Sequence, residues 1–241
     1  MLPLTDAVRP RSFPWVTLVL VAANVAVWLA YQLTTGLDES IDEIGFRACG
    51  VAGDCEQDVL PWPVTATGSM FAHGGWAHLV GNMLFLAVFG MRVEDRLGRV
   101  RYLALYLVSG YAATALEGGV TLALMSDERA SIPGIGASGA ISGVLGAYLV
   151  LFPRQRVLVV LLPAFFLRVP AVGLLAVWLV LQALEGTYGL AHPEEGSAGI
   201  AFFAHVGGFV AGVLLATAMA PESWPRAGFR ALAGGGQTAR H

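Results

Sequence analysis

The polar and apolar positions of this chain separate into long apolar blocks joined by shorter polar stretches. A helix that crosses a bilayer needs about 20 mostly apolar residues. The blocks Trp15–Leu33, Ala77–Met91, Val100–Met125, Ala137–Phe152, Pro170–Leu184 and Gly199–Met219 predict six such helices. Trp15, Tyr31, Trp76 and Tyr102 fall near block ends, where interfacial aromatics belong. The expected architecture is an all-α polytopic membrane protein with three parts. Residues 1–14 form an N-terminal segment. Residues 15–219 form the six-span domain, with an outer first loop at 34–76. Residues 220–241 form a flexible tail carrying Gly234-Gly235-Gly236.

Composition supports that class. Hydrophobic residues make up 56% of the 241 and charged residues 13%, against about 25% charged in a soluble domain. Mean hydropathy is +0.67. A net charge of -3 gives no sign of a nucleic-acid partner. All 14 basic residues are arginine, which reads as composition bias. Two cysteines are too few for a disulfide scaffold. No small-residue cleavage site precedes the first block, so it is read as a retained anchor.

Arginine placement sets the orientation. With the N-terminus inside, twelve of the 14 arginines lie on the inner side, and only Arg47 and Arg129 lie outside. The acidic stretch Asp38–Asp58 also falls outside. Both termini are expected in the cytoplasm, with the protein integral to a bacterial plasma membrane. Cys49 and Cys55 then face the oxidising side, either bridged or as two thiols.

In this orientation spans two, four and six run from outside to inside, and the polar residues of interest sit on them. His78 and Asn82 are spaced i, i+4 in the first turns of span two and share a face. Ser138 opens span four. His205 lies about six residues into span six, about 9 Å deep. Span four has about 15 residues, roughly 22 Å, against a hydrocarbon layer of about 30 Å. Its N-terminus is therefore sunk below the outer surface, at the depth of His205. Irregular backbone at that depth, here 131–137, is tolerated only beside protein or water. A cavity open to the outside follows.

Buried hydroxyl and imidazole groups are costly in lipid, which makes them functional suspects. Serine needs a base to act as a nucleophile, and histidine is the usual one. Ser138 and His205 are the candidates, as a dyad without a carboxylate, since span six has no acid near His205. Oxyanion donors are available from the Asn82 amide, the His78 ring and the Ser138 backbone N–H. The bland readings stand beside this one. A lone membrane serine usually bonds back to its own helix. The stripes Gly139, Ser142, Gly143, Gly146 and Gly208-x-x-x-Gly212 are ordinary packing motifs, which would also bring spans four and six together. A non-catalytic binding or transport protein built on such packing is the rival class. Glu117 is expected to snorkel at the outer interface, with a place at the cavity rim as the alternative. Glu94 is expected in an ion-pair cluster with Arg92, Asp95, Arg96 and Arg99. His73 is expected to be a loop or packing residue. His192 and His241 have no evident partners, and no metal site is indicated.

The stretches Phe71-Ala72-His73-Gly74-Gly75-Trp76-Ala77-His78-Leu79-Val80-Gly81-Asn82-Met83, Gly136-Ala137-Ser138-Gly139 and Ala204-His205-Val206-Gly207-Gly208 resemble the motifs of rhomboid intramembrane serine proteases. So does Gly90-Met91-Arg92-Val93-Glu94 with Gly98. The resemblance covers roughly residues 15 to 219. It implies a six-helix rhomboid-like bundle with a short fourth helix. It implies Ser138 as nucleophile, His205 as general base, His78 and Asn82 as oxyanion residues and Gly136 as the motif glycine. It further implies cofactor-free cleavage of transmembrane protein substrates near their outer ends. Two departures stand out. Ser142 occupies the place where some members carry an aromatic under the base, so His205 must be oriented from elsewhere. The first loop lacks an evident Trp-Arg pair, Trp62-Pro63 being nearest, and carries the acidic insertion with two cysteines.

Overall fold

A computed structural model of the chain describes residues 2–6, 12–55, 60–162, 165–191 and 200–220. His192, His241 and the expected tail lie outside the described residues. Four described helices are long and apolar enough to cross a membrane: α1 (Trp15–Thr35), α5 (Trp76–Leu97), α6 (Arg99–Leu124) and the last, α10, with its apolar window at Phe202–Met219. Two shorter apolar stretches join them, α8 (Ser138–Leu151) and the segment Ala171–Leu184 of α9 (Ala171–Ala191). Helix α10 as a whole runs Ile200–Met219. The expected blocks and the observed helices coincide to within a few residues, except that α5 continues to Leu97 and α9 to Ala191.

Two regions expected as loops carry structure of their own. The first loop folds into short helices α2 (Leu37–Ile44), α3 (Cys49–Ala52) and α4 (Trp62–Ser69). Between them Cys49 and Cys55 form a disulfide. One further short helix, α7 (Asp127–Ala130), precedes Ser138. On the opposite side, β2 (Arg156–Leu162) and β3 (Phe165–Pro170) pair antiparallel, and β1 (Leu2–Asp6) adds antiparallel to β2. This three-stranded sheet is an addition to the helical bundle. Val157 and Val159 are fully buried and join the bundle core.

Lipid is as apolar as leucine, so burying leucine does little to bring membrane helices together. Close packing and hydrogen bonds do it instead. The centre of this bundle is the contact of α8 with α10 and α6, and it is built from glycine. A Cβ added to Gly143 would lie 3.1 Å from the carbonyl of Gly208. One added to Gly146 would lie 3.1 Å from the amide of Val213. One added to Gly207 would lie 2.8 Å from the carbonyl of Ala112 on α6. Backbones therefore touch where side chains would normally intervene.

The C-terminal end of α5 fastens α1. Glu94 is buried, and its carboxylate accepts from the backbone N–H groups of Val16 and Thr17, at 2.9 and 2.8 Å, and from the Thr17 hydroxyl at 2.7 Å. Two of the orphan donors at the start of α1 are satisfied this way, and the acid sits at the favourable end of the helix dipole. Asp95 accepts from Ser12 and lies 3.9 Å from Arg92. Within the charged group expected as an ion-pair cluster, Arg92 and Asp95 do pair, and Glu94 serves as a helix cap.

Candidate active site

The loop ahead of Ser138 is held by the first loop. Phe46 and Gly134 exchange backbone hydrogen bonds of 3.0 and 2.7 Å. Buried Arg47 donates to the Ser131 carbonyl at 2.8 Å. The Gly136 amide donates to the Ser69 carbonyl at 2.8 Å. These partners supply what irregular backbone requires when it is sunk among helices.

Gly136 has φ +124°, a conformation open mainly to glycine. A Cβ there would also lie 2.9 Å from both Cε1 and Nε2 of His78. Strain and crowding therefore both require glycine. Two residues later α8 starts at Ser138. The first amides of a helix have no intrahelical acceptor. Those at this end sit beside the half-buried Ser138 hydroxyl, together with the positive end of the helix dipole.

His78 is poised beside this end. Its Nδ1 accepts from the Gly74 amide at 3.3 Å, which leaves Nε2 to carry the proton of the neutral ring. That Nε2 is the atom facing Gly136. His73 is wholly buried, as a packing residue should be. Its ring lies 5.1 Å from the His78 ring, edge-on, and its amide donates to Gln32 at 2.8 Å. Burial, with His78 close by, lowers the His73 imidazole to about 4, so it is neutral near pH 7. Asn82 follows one turn after His78, and its buried Nδ2 has no partner among the described residues.

His205 is reached from the other side of the glycine seam. A Cβ on Gly139 would lie 3.9 Å from the carbonyl of Ala204, so the residue after Ser138 abuts the residue before His205. The packing of α8 on α10 thus brings the neighbours of the two residues together. The Ser138 hydroxyl and His205 are not hydrogen-bonded, since Nε2 of His205 is buried and unpartnered among the described residues. Such bonds are often long before substrate binds.

The orientation of His205 comes from α9. Gln182 Oε1 hydrogen-bonds to Nδ1 of His205. Trp178, one turn earlier, places its ring 5.7 Å from the imidazole at 43°. Ser142 points elsewhere and donates to the Ser138 carbonyl at 2.6 Å. The sequence reading passed over Gln182. The signal was present, because a glutamine inside an apolar block is costly in lipid unless it is paired.

The Ser138 end of α8 opens on a cavity of about 300 Å³ lined by Phe46, Met70, Gly136, Ser138 and Glu117, among others. Glu117 does not snorkel. It is 8% exposed, and its Oε2 accepts from the Ala204 amide at 3.0 Å. Among the described residues no group of three metal-ligating side chains occurs.

The rhomboid domain profile matches residues 62–222 of this chain, more than half its length. RHOMBOID-like protein 5 of Arabidopsis thaliana is 40% identical over 80 residues, which are 33% of this chain and 24% of that protein. The mitochondrial RHOMBOID-like protein 6 of the same plant is 26% identical over 170 residues, 56% of this chain and 50% of the relative. The mitochondrial Rhomboid protein 1 of Saccharomyces cerevisiae is 34% identical over 110 residues, 45% and 31% respectively. The chain spans half the length of these relatives or less.

Proposed function

Because the chain belongs to the rhomboid family, we propose that it is an intramembrane serine endopeptidase that cleaves transmembrane segments of other proteins near their outer ends. The carrying observation is the Ser138 hydroxyl at a helix N-terminus, on a cavity and beside His78, whose Nδ1 accepts from the Gly74 amide. Ser138 is the nucleophile. His205 takes its proton at Nε2, the nitrogen left free when Nδ1 donates to Gln182. As the tetrahedral adduct forms, its oxyanion accepts from the Ser138 amide, the Asn82 amide group and His78 Nε2–H. His205 then returns the proton to the leaving amine. Twelve of the 14 arginines fall on one side when both termini are cytoplasmic. That orientation opens the cavity to the outer face. A fluorophosphonate or isocoumarin probe tests the assignment. It should label wild type and leave Ser138→Ala unlabelled, and equal labelling of both proteins would remove Ser138 from the role.

Asn82→Ala is expected to lower kcat more than it raises KM. Loss of one oxyanion donor costs about 3 kcal/mol where nothing replaces it. Here two donors remain, so the expected fall is roughly 10- to 100-fold in kcat. A raised KM with kcat intact would assign Asn82 to substrate binding instead.

Gln182 is proposed as the positioning residue for His205. Gln182→Leu should reduce kcat roughly tenfold, the scale of one lost hydrogen bond. KM should change little. Gln182→Glu keeps the acceptor and should recover part of the loss. Equal rates for the Leu and Glu variants would show that the bond to His205 does not set its orientation.

A further inference from the structure

The protease reading gives Glu117 no task, and its surroundings are unusual for an acid inside a membrane helix. It is the nineteenth of the 26 residues of α6, four residues after Ala113, so the two share a face about 6 Å apart along the helix. Ala113 packs against Gly139, which follows Ser138. The carboxyl group therefore stands about one helical turn from the start of α8, on the wall of the cavity that Ser138 also lines. Oε2 is engaged by the Ala204 amide, close to the N-terminus of α10. Oε1 is buried and has no partner among the described residues. A buried oxygen without a donor is destabilising, so a structural cap alone accounts for only half of this carboxyl group.

Much of the remaining cavity wall is apolar, and the hydroxyl of Thr114, one turn before the acid, is already bonded to the Gly110 carbonyl. Phe46, Met70 and Ile135 line it. An apolar passage with one free carboxyl oxygen matches a long aliphatic stem that ends in a cation. A lysine ammonium or arginine guanidinium brings both the missing donor and the opposite charge, and charge-assisted bonds are the strong ones. A methionine or leucine side chain would fill the passage and leave Oε1 unpaired. A site built around a hydrogen-bonding group discriminates against partners that lack it.

Resting on the protease reading, we propose that Glu117 is a specificity-determining residue, whose free Oε1 receives a basic side chain of the substrate beside the scissile bond.

The test is a set of transmembrane substrates in liposomes, each carrying Lys, Arg or Met at one position flanking the cleavage site. Wild type and Glu117→Gln are compared by the ratio of the basic to the Met rate. A loss of activity common to all substrates cancels in that ratio. At one position wild type should cleave the Lys or Arg substrate about tenfold faster than the Met substrate, the scale of one charged hydrogen bond. In Glu117→Gln the ratio should fall to near one. The inference is overturned if no position shows the preference, or if Glu117→Gln retains it. It is also overturned if the variant slows every substrate by one common factor, which is the signature of a cap on α10. Fluorophosphonate labelling of Ser138 runs alongside. Absent labelling of wild type would overturn the protease reading itself, whereas intact labelling with no preference overturns only the role of Glu117.

Discussion

His205→Ala should leave a folded protein that no longer cleaves a transmembrane substrate. A serine hydroxyl is a weak nucleophile until a base takes its proton. Two imidazoles approach the start of α8, and their hydrogen bonds divide the work. His78 accepts at Nδ1 from Gly74, so it presents a proton. His205 is bonded to Gln182 through Nδ1, so it presents the unpartnered Nε2 lone pair. Only the second arrangement is that of a base. Removing a general base costs about 10²-fold or more. The measurement is turnover in liposomes, with thermal unfolding as the control for folding. Near-normal turnover by the folded variant would refute the dyad and turn attention to His78.

Gly136→Ala is the second large expected effect, although it adds one methyl group. At φ +124° a residue other than glycine is strained by about 1–3 kcal/mol. The new methyl would also sit 2.9 Å from His78. Either the ring moves away from the oxyanion position, or the loop ahead of Ser138 shifts and carries the start of α8 with it. We expect roughly 10²-fold slower labelling of Ser138, the usual scale for a misplaced oxyanion donor. The fold should survive, because the seam of α8, α6 and α10 does not involve this residue. Labelling at the wild-type rate would mean that His78 is not part of the oxyanion site.

Much of this arrangement was legible along the chain, because lipid imposes a simple rule. Apolar length marks helices, and Ala137–Phe152 anticipated Ser138–Leu151 closely. The glycine stripes at Gly139, Gly143, Gly146, Gly208 and Gly212 turned out to be the seam joining the helices of Ser138 and His205. What the sequence concealed depends on partners remote in the chain. Residues 156–162 read as part of an inner loop, because their pairing with Leu2–Asp6 leaves no periodic trace. Glu117 read as an interfacial acid, since length alone says how high a residue stands and not which way it faces. Its partner, the Ala204 amide, lies 87 positions away. Gln182 was the opposite case, a visible anomaly whose meaning appears only when α9 is laid against His205.

The bond from Glu94 to the start of α1 joins positions 77 and 78 residues apart. A ribosome releases α1 well before it has made Glu94. The leading amides of α1 must first be served by headgroups and water, and they exchange those partners for the carboxylate only when α5 arrives. Insertion of the first two spans is therefore a sequence of entry and latching. The first helix enters free to ride up and down in the bilayer, and the second sets its height.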